Sequence, residues 1–175
     1  MPLHEDYVAA LPVGKLGVIA LESCKQMGQK IDQYLVDWRN KRVHEVHTPT
    51  VLLDGYQRES YLVETKCARF GSGEAKGVIN ESVRGDDLYI MVDVCNHSLT
   101  YSLSGNKNRM SPDDHYQDLK RIIAAVGGKA RRITVIMPFL YESRQHKRTS
   151  RESLDCALAL QELVAMGVDN IITFD

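Results

Sequence analysis

The stretch ARRITVIMPFLYESRQHKRTSR, residues 130–151, decides the fold. Its first half contains Ile133-Thr134-Val135-Ile136-Met137, an apolar, β-branched run of the kind that forms a strand buried on both faces, and Pro138 ends it. Its second half is a polar loop carrying Arg144, Gln145, His146, Lys147, Arg148 and Arg151. In open α/β sheets, ligands bind beyond the carboxyl ends of the strands. Guanidinium groups grip phosphate oxygens bidentately, and lysine attracts them as a point charge. The loop is therefore expected to hold a polyphosphate, with a solvated basic loop as the plain alternative.

On either side of this stretch, strand and helix patterns alternate. Upstream, Ser111-Pro112-Asp113-Asp114 combines a serine cap, a proline at the first helical position and first-turn acids, and so predicts a helix start. Tyr116, Leu119, Ile122, Ile123 and Val126 give that helix one apolar face, and Gly127-Gly128 stops it. Downstream, Leu154 to Met166 reads as a second amphipathic helix ended by Gly167, followed by a strand at Ile171-Ile172-Thr173-Phe174. Inner strands are also expected at residues 16–21 and 88–92, with a short one at Val78-Ile79. Cys24, Met27, Ile31, Tyr34, Leu35 and Trp38 recur at helical spacing after the first strand, with Ser23 as its expected cap and Trp38 as core packing. Residues 1–14 read as a surface arm. Residues 43–68 are expected to be an inserted hairpin turning at Asp54-Gly55, and residues 96–109 a mobile serine, asparagine and glycine-rich insertion. The pattern predicts a three-layer α/β domain with a mainly parallel sheet covered on both faces.

The chain has 175 residues, enough for one well-buried core and too few for two complete domains. With 22 basic against 23 acidic residues and a net charge of -1, it offers no general attraction to nucleic acid or to an anionic membrane. Any anion site must be local. Cys24, Cys67, Cys95 and Cys156 form no C-x-x-C pair and are expected to be buried, reduced thiols of a cytoplasmic protein. The sequence shows no targeting peptide and no run of membrane-spanning length. His44, His47, His97 and His115 lack metal-ligand spacing and read as surface or loop residues. Phe70, in a glycine-containing turn, reads on local grounds as tucked into the core.

Four ordered motifs resemble a known family, the ribose-phosphate diphosphokinases or phosphoribosyl pyrophosphate synthetases. Phe70-Gly71-Ser72-Gly73-Glu74 resembles the family's Phe-Ser-Asp-Gly-Glu turn, and Ile79 to Gly85 with Asp87 to Ile90 resembles the segment after it. Tyr141 to Arg148 is similar to its Tyr-Ala-Arg-Gln-Asp loop, and Gly167 to Asp175 to its Gly-Ala-Asp-x-Val-Ile-Thr-Met-Asp segment. The resemblance implies a type I phosphoribosyltransferase-like fold, with this chain as the amino-terminal, nucleotide-side domain and the second catalytic domain absent. It implies ATP-binding roles for Phe70, Ser72, Glu74, Arg144 and Gln145, a regulatory phosphate or ADP site at Ser82 and Arg84, and Asp175 as a weak metal candidate. It further implies magnesium delivered with ATP, ribose 5-phosphate as a substrate of the full-length protein only, and a homo-oligomer whose adenine site is shared between subunits. Two positions depart from the pattern. Ser72 replaces the turn's aspartate and His146 replaces the loop's aspartate, so neither supplies the family's carboxylate. These departures leave open a second reading, a non-catalytic regulatory partner of a synthetase.

Overall fold

The structure, a computed structural model, describes residues 12–45 and 53–174. In chain order it forms β1 (Leu16–Ala20), α1 (Lys25–Glu45), β2 (Thr65–Arg69), β3 (Ala75–Ile79), β4 (Asp87–Met91), β5 (Thr100–Leu103), β6 (Asn106–Arg109), α2 (Pro112–Val126), β7 (Arg132–Ile136), α3 (Asp155–Ala165) and β8 (Asn170–Ile172). Strands β1, β4, β7 and β8 pair in that order, all parallel, as one four-stranded sheet.

The register explains the layers. Ile19, Ile90, Val135 and Ile171 are aligned across the sheet, and the first three are 0% exposed. This row and its neighbours two residues away pack under α2 and α3 through Leu119, Ile122, Ile123, Ala159 and Leu163. Each such fully buried aliphatic side chain contributes about 1.5–3 kcal/mol. Alternate residues Val18, Ala20 and Met91 face the other way, onto Cys24, Ile31 and Leu35 of the α1 layer. The expected α/β architecture with a mainly parallel sheet is therefore observed.

Helix α2 starts as its sequence predicts. Ser111 Oγ accepts from the Asp114 amide at 3.1 Å while the Asp114 carboxylate accepts from the Ser111 amide at 2.9 Å, a reciprocal cap. At the other end Gly127 takes the left-handed conformation, φ 57°, that closes a helix.

Other expectations are corrected. The hairpin expected in residues 43–68 falls partly outside the described residues, and its described ends belong to other elements. Helix α1 runs through Val43 to Glu45, and Tyr61 to Val63 lie beside β1 instead, with the Val18 amide donating to Tyr61 and the Val63 amide to Val18, both at 2.8 Å. Gly55 does turn, at φ 78°, and the apolar residues Tyr61 to Val63 beyond it satisfy the open edge of β1. Thr50 to Leu52 and most of the predicted arm lie outside the described residues. Antiparallel pairing falls on β2 and β3, joined by the Phe70 to Glu74 turn. Residues 96–109 contain a second hairpin, β5–β6, turned by Ser104 and Gly105 at φ 51° and 83°, the positive pair a tight hairpin needs.

Ser23 does not cap α1; its hydroxyl accepts the Asp93 amide at 3.0 Å from the loop after β4. Trp38 is 55% exposed, its ring under Arg42 at 5.4 Å, because α1 covers only the β1 side of its face and leaves this flank to solvent. His115 is buried at 2% exposure, whereas Cys95 is exposed. Among the described residues no helix is long and apolar enough to cross a membrane.

Candidate functional site

Pro138 ends β7's run, and the loop beyond it is built against α2. The Tyr141 ring stacks on Tyr116 with centroids 4.2 Å apart and planes within 8°, and its hydroxyl donates to Asp113 at 2.7 Å. Burial, and then the Asp113 hydrogen bond, push the Tyr141 phenol well above its ordinary pKa, so it remains a donor. From this anchor the chain turns at Glu142, φ 56°, and presents Arg144 to solvent, its guanidinium 5.9 Å from the Phe139 ring centre. His146 Nδ1 lies 2.7 Å from the Ser143 carbonyl and donates to it. Gln145 is engaged inward, its amide donating to the Ser153 carbonyl at 2.8 Å, so it closes the loop rather than pointing at a ligand. Lys147, Arg148 and Arg151 are exposed. The loop thus offers several exposed cations at the carboxyl end of a buried strand, an arrangement suited to a polyanion.

The Phe70 to Glu74 turn closes through two backbone bonds, the Phe70 amide to Glu74 at 2.7 Å and the Gly73 amide to Phe70 at 2.9 Å, with Gly73 at φ 91°. Phe70 is 49% exposed instead of buried, because the turn extends past the end of the hairpin's packing on α2. The Ser72 hydroxyl donates to the Glu74 carboxylate at 2.8 Å. A ring face and an acceptor therefore lie together on one projecting tip. Its neighbour is Leu103 at the end of β5, whereas Arg144 rests on Phe139.

Ser82 and Arg84 lie elsewhere. They precede β4, while the Arg144 loop follows β7, and because these strands run parallel the two groups occupy opposite ends of the sheet. Both are exposed, with the Arg84 amide 3.5 Å from Ser82 Oγ. Asp175 lies outside the described residues. Among those described, no group of three or more histidine, cysteine or acidic side chains could hold a metal ion.

Sequence reasoning missed the polar cluster behind the tip. Arg69, directly before Phe70, pairs with Asp118 at 2.8 Å and lies 5.0 Å from the Tyr101 ring centre, while Arg121 takes the other Asp118 oxygen at 2.6 Å. The three elements involved are far apart in sequence, so no local spacing announces the cluster.

A parallel sheet packed between helices, with an exposed basic loop at its carboxyl edge, defines the class as an α/β domain. Comparison with known proteins narrows it. A family model described as the N-terminal domain of ribose phosphate pyrophosphokinase matches residues 16–167, and the chain belongs to that family. Ribose-phosphate pyrophosphokinase B of Dictyostelium discoideum is 34% identical over 110 residues, covering 62% of this chain and 30% of that protein. Ribose-phosphate pyrophosphokinase 1 of Schizosaccharomyces pombe is 36% identical over 109 residues, covering 61% of this chain and 23% of that protein. The matches thus span less than a third of these relatives' length. The crystal structure of phosphoribosylpyrophosphate synthetase from Mycobacterium smegmatis superposes with a TM-score of 0.58 at 21% identity, over 91% of this chain and 42% of that one, a likeness of fold.

Proposed function

We propose that this chain is the nucleotide-binding part of a ribose-phosphate pyrophosphokinase, in which the diphosphate group of ATP passes to the 1-hydroxyl of ribose 5-phosphate, leaving AMP. The observation that carries this reading is the family match over residues 16–167, taken with an exposed Arg144 at the carboxyl edge of β7. In the proposed site Phe70 stacks on adenine and Glu74 accepts from its exocyclic amine. Ser72 shapes the base pocket by engaging Glu74. Arg144 holds phosphate oxygens through charge-assisted bonds, and Gln145 fixes the loop that presents it. Phe70 and Arg144 have different neighbours within one chain, which supports a composite site completed by a second copy. Ser82 and Arg84, at the far edge, are proposed as a separate regulatory phosphate site. Magnesium enters as the ATP complex; the described residues supply no ligand set for it, so no step is assigned to a protein-bound ion.

The test is calorimetric titration with ADP. Arg144→Ala is expected to weaken binding by about 1.5–3 kcal/mol, the range for hydrogen bonds to charged groups. Equal affinity in the variant and the parent would remove the role. A regulatory partner without turnover is the second reading, favoured by one observation: His146, at the family's aspartate position, spends Nδ1 on its own loop.

A further inference from the structure

A cleft of about 500 Å³ opens at the carboxyl end of β1, between β2, β5 and the first turns of α2. No residue of the proposed nucleotide site or of the Ser82 and Arg84 pair lines it. Its size suits a small organic ligand, and its place beyond a parallel strand is where open sheets take theirs.

The wall indicates the ligand's charge. Glu22, Glu64 and Asp118 balance Lys25, Lys66 and Arg69. Much of this charge is already engaged. Asp118 meets two guanidinium groups, and Glu22 lies 3.5 Å from Lys25. A polyphosphate would find no surplus of cations here, unlike at the Arg144 loop.

Glu64 and Lys66 offset each other in charge, and the other groups left to recognise a ligand are neutral hydrogen-bonding and apolar ones. His115 lines the cleft at 2% exposure, and its Nε2 lies 2.8 Å from the Asn96 carbonyl, an acceptor only, so Nε2 is the donor there. The Thr65 hydroxyl and Gln29 amide add a donor and an acceptor each, and Tyr101 adds an aromatic wall. Leu21, Leu62 and Met110 make the remaining wall apolar. Apolar and aromatic surface with a few neutral hydrogen-bonding groups is what an uncharged planar heterocycle requires.

We propose that this cleft is a second ligand site, taking an uncharged nucleoside or nucleobase between Tyr101 and His115. The site is independent of the nucleotide reading. The test titrates the whole chain by calorimetry with adenosine, inosine, uridine and cytidine, and separately with ADP. At least one nucleoside is expected to saturate the protein, and Tyr101→Ala and His115→Leu are expected to weaken it about tenfold, or about 1.4 kcal/mol. Tyr101 lies on the surface hairpin, so its variant decides the matter even if loss of buried His115 unfolds the domain. Failure of every nucleoside to bind at millimolar concentration overturns the proposal, as does a nucleoside affinity that falls with Phe70 and not with Tyr101. ADP binding that depends on Arg144, without any nucleoside binding, would remove this site and leave the nucleotide reading standing.

Discussion

Asp118 lies on α2 between Arg121 and Arg69, with all three side chains 19% exposed or less. Burial outweighs both cations and raises its pKa above the ordinary carboxylate value. Burial, and then the Asp118 charge, push the adjacent Cys67 thiol up to about 12, so it stays protonated and unreactive. Removing one side of a buried pair costs more than the pair contributes, because a charge is left unmatched. Asp118→Ala leaves two such charges and is expected to cost about 3–5 kcal/mol in urea unfolding. Arg69→Ala should cost less, since Arg121 still holds Asp118; a larger loss in Arg69→Ala than in Asp118→Ala would contradict this account. Asp86 is a different case, 8% exposed and raised in pKa by burial despite Arg58 and Lys15. A carboxyl whose folded pKa exceeds its unfolded value contributes stability below the unfolded value, and loses it as pH rises through the folded value. Asp86→Asn keeps the neutral form. Its thermal midpoint should exceed the parent's at neutral pH, with the gap closing in acid; a lower midpoint at neutral pH would rule this out.

At the scale of elements, the β2–β3 hairpin is fixed by contact with α2. A methyl group at Gly77 would lie 2.7 Å from the Arg121 backbone carbonyl, so strand and helix meet where no side chain fits. Gly77→Ala is expected to destabilise by about 1–3 kcal/mol, the cost of overpacking, as measured by denaturant midpoint. Because the hairpin carries Phe70 at its tip, the same change should also weaken ADP binding. Elements with local signals were legible: the Ser111-Pro112 start of α2 and the apolar run of β7 both fall within a residue of their expected bounds. The two hairpins were not legible as such. Residues 65–69 and 75–79 are only partly buried and alternate weakly, and the β5–β6 hairpin is mostly polar, with only Tyr101 and Leu103 as exceptions, so its pairing rests on backbone bonds that no apolar pattern reports.

For the whole molecule, we expect residues 1–175 alone to give no turnover. An attacking 1-hydroxyl must be held in line with the β-phosphorus of ATP, and such positioning can be worth about 7–11 kcal/mol of barrier. Nothing in this sequence resembles the family's grip on ribose 5-phosphate. Incubation with magnesium ATP and ribose 5-phosphate should yield neither AMP nor phosphoribosyl diphosphate above a buffer control, and formation of both in equal amounts would refute the expectation. Self-association at high micromolar concentration is expected from the exposed Phe70 tip, read by sedimentation; a strict monomer would count against a composite site.

The sequence by itself determined the strands of the parallel sheet, the α2 cap and stop, the basic loop after Pro138 and the family. Each of these is written in contiguous residues, where β-branched runs, proline and capping side chains act on their own backbone. Only the tertiary structure decided that Tyr61 to Val63 join β1, that Ser23 serves the β4 loop, that Gln145 turns inward and that His115 and Asp118 are buried. These outcomes depend on partners that folding brings from distant parts of the chain. A polar side chain's environment is set by those partners and by the water they exclude, and neither is present in local sequence.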